Sequence, residues 1–151
     1  LASSAASDVY KRQLYDPANE PDIAYAYLFS HFRGEEWRTQ KETRRLLDKY
    51  FTTAPDGIPG NDDTGTMSAW AVFTMLGLYP DCPGEPYYTL TAPVFDRAEI
   101  DTDGGTLVIE KRGEGYIRKM TLGDKPLTKY RVGHDELLRG GKLTFELKNE
   151  R

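Results

Sequence analysis

Residues 55–70 read Pro55-Asp56-Gly57-Ile58-Pro59-Gly60-Asn61-Asp62-Asp63-Thr64-Gly65-Thr66-Met67-Ser68-Ala69-Trp70, and the organisation of the chain turns on the change inside them. As far as Gly65, prolines and glycines recur too often for a regular element, so 52–65 is read as turn-rich. From Thr66 to Leu76 the punctuation stops. Met67, Ala69, Trp70, Ala71, Val72, Phe73, Met75 and Leu76 make this segment apolar nearly all round. Such a helix is expected to be buried on every side.

Working upstream, two further helices are predicted. Pro21 suits a first turn, with Asn19 or Glu20 at its mouth. Tyr25, Leu28, Phe29 and Phe32 then recur at helical spacing, and Gly34 ends the run. The second helix spans about Glu35 to Phe51, with Trp37, Leu47 and Phe51 on its apolar stripe and Gln40 among them. Two helices cannot surround a third. The missing neighbours are expected from sequence upstream, so the chain is read as the carboxy-terminal piece of a longer protein.

Downstream, the pattern changes to period two after Pro80-Asp81-Cys82-Pro83-Gly84. Short strands are predicted at Tyr88–Leu90, Ala98–Asp101, Thr106–Glu110, Tyr116–Leu122, Leu127–Val132 and Lys142–Leu147. Gly104-Gly105, Gly123-Asp124 and Gly140-Gly141 separate several of them. Strands at this spacing predict a small antiparallel β-sandwich. The expected class is α+β: helices over residues 14–80, then a β-subdomain over residues 81–151. Residues 3–13 match, codon for codon, the translation of a transposase adapter used to prepare DNA sequencing libraries. Residues 1–13 are therefore set aside from fold reasoning and expected to lack defined structure.

Composition narrows the function. The 151 residues carry a net charge of −4 and show no basic stripe, which argues against nucleic acid as a partner. Mean hydropathy is −0.63 and no apolar run is long enough for a membrane-spanning helix. A single cysteine, Cys82, excludes an internal disulfide framework and a cysteine-rich metal site. His31 and His134 are expected to be solvated or capping.

The chemistry gathers at three places: Asn19-Glu20-Pro21, Trp37-Arg38-Thr39-Gln40, and the Asn61-Asp62-Asp63 loop. Carboxylates ahead of a buried helix gain from its N-terminus, which makes capping the plain reading of Asp62 or Asp63. Capping needs only one short polar residue, however. Hard oxygen ligands grouped in a loop also suit calcium, although the spacing is not that of an EF-hand. A carboxylate at the mouth of a pocket suits catalysis. From the residues alone, capping, metal binding and catalysis stand level.

The three segments, in this order, resemble the carboxy-terminal half of glycoside hydrolase family 92, which shows N-E-P, W-K-T-Q and G-N-D-D-x-G-x-M-S-A-W. The resemblance runs from about Asn19 to Leu147. It implies that residues 14–80 are the last helices of an (α/α)6 barrel in an inverting, calcium-dependent exo-α-mannosidase. Such an enzyme would act on α-1,2-linked or related mannose-containing glycans and be secreted or periplasmic. Asp63 matches the position of the family's general base, with Asp62 as the next candidate. Glu20, Gln40 and, more weakly, Asn19 match positions near the calcium, while Trp37 and Asn61 are expected near the sugar. Asp22-Ile23-Ala24 departs from the polar residue and two histidines that many members carry after N-E-P. The family's general acid is a glutamate from an upstream segment, so this chain alone is expected to be inactive. Two other readings are a non-catalytic carbohydrate-binding β-module and a structural calcium-binding segment.

Overall fold

The computed structural model describes residues 18–19 and 22–149; Glu20, Pro21 and the adapter-like residues 1–13 lie outside the described residues. The order of elements is a 3-10 helix at Tyr25–His31, helix α1 at Glu36–Tyr50, helix α2 at Thr66–Leu76, strand β1 at Leu78–Tyr79 and β2 at Tyr87–Leu90. Then come β3 at Arg97–Thr102, β4 at Gly105–Arg112, β5 at Tyr116–Leu122, β6 at Lys125–Pro126 and β7 at Arg131–Gly133. The short helix α3, His134–Leu138, and β8, Gly141–Lys148, complete the chain. The class is α+β, as expected.

Two helices fall where the periodicity puts them. Helix α1 buries Thr39, Gln40, Thr43, Leu46 and Leu47. Helix α2 ends at Gly77, whose left-handed φ of 86° lets its N–H return to the carbonyls of Phe73 and Thr74. The first helix differs. Its described part is 3-10, with three residues per turn, so the face that meets the core is Ala26 and Tyr27. The residues at α-helical spacing, Tyr25, Leu28 and Phe32, are exposed instead. Helix α2 is not covered on every side either. Met67, Trp70, Ala71 and Thr74 are buried, but Ala69 is exposed and Val72 is 56% exposed.

Trp70 anchors the helical core. Its indole N–H donates to the Ile23 carbonyl at 2.9 Å, its ring stacks on Phe51 at 5.3 Å, and Tyr27 meets it edge-on at 6.4 Å. Ile23, Leu46, Leu47 and Met67 fill the space around it.

The β-region forms two sheets, ordered β1-β2-β7 and β3-β4-β8-β5-β6. Inward residues alternate as period two requires: Leu107 and Ile109 on β4, and Leu143, Phe145 and Leu147 on β8, with Leu90, Met120 and Val132 packed in the same core. The expectation of a wholly antiparallel arrangement is corrected by the central pair: β4 and β8 run parallel, from Leu107 opposite Gly141 to Arg112 opposite Glu146. A parallel pair needs a long crossover. Here the connection runs through β5, β6, β7 and α3, the last unforeseen from sequence. The predicted strand Leu127–Val132 is also corrected: residues 127–130 are irregular chain after β6, and only Arg131 and Val132 are strand, in β7. Lys111 occupies an inward position on β4, where the carboxylates of Glu114 at 2.8 Å and Asp96 at 3.2 Å satisfy its ammonium.

Candidate active site

The loop 61–65 is held from both ends. Asp62 reaches forward over the start of α2: Oδ1 accepts the Ser68 N–H and Oδ2 accepts the Ser68 hydroxyl, each at 2.7 Å. These bonds, the backbone one foremost and a weaker one from Met67 N–H also contributing, hold the Asp62 carboxyl below its ordinary value against the opposing pull of partial burial. The Asp62 carbonyl accepts Gly65 N–H at 2.6 Å and Thr66 N–H at 2.9 Å. Asp62 thus closes over the first turn of α2, whose N-cap position is Gly65, with both carboxylate oxygens engaged.

Asp63 is placed differently. Its carbonyl accepts the hydroxyls of Thr64 and Thr66, both at 2.7 Å, while its carboxylate is exposed and accepts no hydrogen bond among the described residues. The turn that separates the two carboxylates is sharp. Thr64 has φ 56° and ψ 23°, the one non-glycine residue at positive φ among the described residues, and Gly65 follows at φ 87°. A β-branched residue adopts this region only where its surroundings impose it, at about 1–3 kcal/mol. Two successive left-handed residues send the Asp62 side chain onto the helix and leave Asp63 facing solvent.

The remaining predicted residues divide. Asn61 is exposed, beside the two acids. Ala18 packs against Gly60: a Cβ added there would lie 2.6 Å from the Ala18 Cβ. The strand of chain leading to Glu20 therefore runs next to the Asn61–Asp63 loop, although Glu20 itself lies outside the described residues. Asn19 is exposed and its carbonyl accepts Asp22 N–H at 2.9 Å. Gln40 is engaged elsewhere. Its Oε1 accepts the Ile117 N–H of β5 at 2.8 Å. Trp37 meets Tyr116 of the same strand edge-on at 6.3 Å, with the Arg38 guanidinium 5.5 Å from its ring. Gln40 and Trp37 thus tie α1 to β5, the packing role weighed for each beside its functional one.

Calcium was tested against these donors. Gln40 has committed its carbonyl oxygen to a backbone N–H, and Asp62 has committed both of its oxygens to Ser68. No group of three His, Cys, Asp or Glu side chains is gathered at metal-holding distance among the described residues. The described residues alone do not fit a calcium ion, which takes six to eight oxygens.

Sequence reasoning passed over Ser68, whose two hydrogen bonds distinguish the acids; its place three residues into an apolar helix was the available signal. Of the histidines, His31 is exposed as expected and His134 is half-buried, and both rings are engaged. His31 Nε2 bonds the buried carboxylate of Asp81 at 2.7 Å, and His134 Nδ1 bonds the Tyr88 phenol at 2.9 Å.

The model of the glycosyl hydrolase family 92 catalytic domain matches residues 2–149. The chain belongs to glycosyl hydrolase family 92. The match begins inside the first thirteen residues, whose adapter reading falls outside the described residues. An uncharacterized secreted glycosidase of Arthroderma benhamiae is 32% identical over 140 residues, covering 87% of this chain and 18% of that protein. Among solved structures, a family 92 α-mannosidase of Bacteroides thetaiotaomicron in complex with mannoimidazole superposes with a TM-score of 0.78 at 28% identity, over 89% of this chain and 18% of its own. A family 92 inverting mannosidase of the same species gives 0.77 at 32% identity, over 87% and 19%. The family 92 glycosyl hydrolase ccman5 gives 0.84 at 24% identity, a likeness of fold. The chain thus spans about a fifth of the length of these relatives.

Proposed function

We propose that this chain carries the base-bearing segment of an inverting exo-α-mannosidase, with Asp63 as the general base. What carries the reading is the division of labour in the loop: Asp62 is consumed by α2, while the adjacent Asp63 carboxylate is exposed on a doubly anchored backbone. In an inverting reaction one carboxylate takes a proton from the attacking water while a carboxylic acid on the other side of the bond protonates the leaving oxygen. Asp63 has an unengaged oxygen for that water. The acid belongs to sequence outside this chain, so the chain alone is expected not to hydrolyse mannosides. In this reading the helical part completes an (α/α)6 barrel, and the whole protein is secreted or periplasmic and acts on α-1,2-linked or related mannose-containing glycans. Likeness to an inverting mannosidase and to a secreted glycosidase supports it. Calcium enters the proposal only through ligands beyond the described residues, Glu20 among them, and no step is routed through it.

The test is Asp63→Asn beside Asp62→Asn in a protein of the relatives' full length, assayed on an aryl α-mannoside and an α-linked mannobiose. An amide cannot take the proton, so Asp63→Asn is expected to lower kcat about 10²- to 10⁴-fold with the fold intact. Near-normal turnover in Asp63→Asn would remove the assignment and leave Asp62 as the candidate.

A further inference from the structure

A cavity lies away from the Asp63 loop, between the end of the 3-10 helix, the start of α1 and strands β2 and β7. Its volume is about 470 Å³, within the size range of small-molecule sites. Arg33, Lys129 and Arg131 line it, and none of the three is in an ion pair among the described residues. Elsewhere cations are commonly paired: Arg97, Arg112 and Lys142 share Glu110, and Lys125 meets Glu136. Three cations with no carboxylate partner line one concave surface of a chain whose net charge is −4.

Glu36 lines the same cavity, and neither it nor Asp81 is in an ion pair with the three cations among the described residues. Glu36 accepts the Gly34 N–H at 2.8 Å, and Asp81 is buried behind His31, accepting also the Thr89 hydroxyl at 2.7 Å. Arg131 is steadied by the Tyr87 ring, 5.3 Å away. An anion bound among them would supply a counter-charge. Guanidinium and ammonium donors arriving from two different segments suit an anion with several oxygens, and the charge-assisted bonds they make are roughly twice as strong as neutral ones.

We propose that this cavity binds a phosphate group, with Arg33, Lys129 and Arg131 as its ligands. The group belongs either to free inorganic phosphate or to a phosphorylated monosaccharide, for which the volume leaves room. The site is independent of the mannosidase reading, since none of its residues lies in the Asp63 loop.

Calorimetric titration of the full-length protein decides the matter, with inorganic phosphate, a phosphorylated monosaccharide and the same sugar unphosphorylated as separate arms. Saturable binding of phosphate or of the sugar phosphate, but not of the neutral sugar, is expected. The tighter of the two binders identifies the source. Lys129→Gln with Arg131→Gln should weaken binding at least tenfold. Lys125→Gln, outside the cavity, and Asp63→Asn should leave it unchanged, so failure here is separable from failure of the catalytic reading. If the double variant does not fold, Arg33→Gln alone provides the comparison. Absence of saturable binding, or undiminished binding in a folded cavity variant, overturns the proposal.

Discussion

Replacing Gln40 with leucine separates a strut from a metal ligand. The side chain is only 5% exposed, and its carbonyl oxygen satisfies the Ile117 N–H, which lies on a buried residue. Leucine is close in volume, so the main loss is the hydrogen bond and not a cavity. An unsatisfied buried donor costs roughly 1–3 kcal/mol. The Tyr130 phenol keeps its 3.3 Å bond to the Ile117 carbonyl. We therefore expect Gln40→Leu to destabilise by about 2–3 kcal/mol, an increase of roughly thirty- to a hundred-and-fiftyfold in the opened population. Urea unfolding with calcium and with chelator measures the total, and amide hydrogen exchange at Ile117 reports the bond itself. A strut predicts equal destabilisation in both media and lost protection at Ile117. If the destabilisation appears only with calcium and Ile117 exchange is unchanged, Gln40 is a ligand and the reasoning fails.

The other expectations are simpler. Asp62 has its carboxyl held below the ordinary value by Ser68, so its contribution is present above the ordinary carboxylate range and fades as pH falls through the depressed folded value. Asp62→Asn should unfold earlier than wild type at neutral pH, with the gap closing in acid; a constant gap across an acid titration would contradict this. Trp70→Ala removes a ring 2% exposed and should cost about 3–5 kcal/mol in denaturant unfolding; a loss below about 1 kcal/mol would show the helical core to be misassigned. At Gly77, φ is 86° and an added Cβ would meet Pro93 Cγ at 2.7 Å and the Thr91 carbonyl at 2.9 Å. Gly77→Ala should therefore lose about 2–4 kcal/mol in thermal unfolding, and a neutral result would refute the close approach.

Periodicity, turn residues and one long motif were enough to place helices α1 and α2, most of the strands, the α+β class and the family. These depend on what each residue prefers within a turn or two of its neighbours, and that information is local. The roles inside the site were not legible in the same way. Asp62 and Asp63 are chemically identical and adjacent, and the left-handed turn at Thr64 and Gly65, closed by Ser68 six residues after Asp62, decides which one closes over α2 and which one faces water. Gln40 sits on the predicted stripe, but its partner lies 77 residues away on β5, a contact that exists only once the sheet has formed. The parallel β4–β8 pair and the outward face of the 3-10 helix have the same origin. Sequence spacing tells which side chains share a face, while what that face meets is set by contacts between segments far apart in the chain.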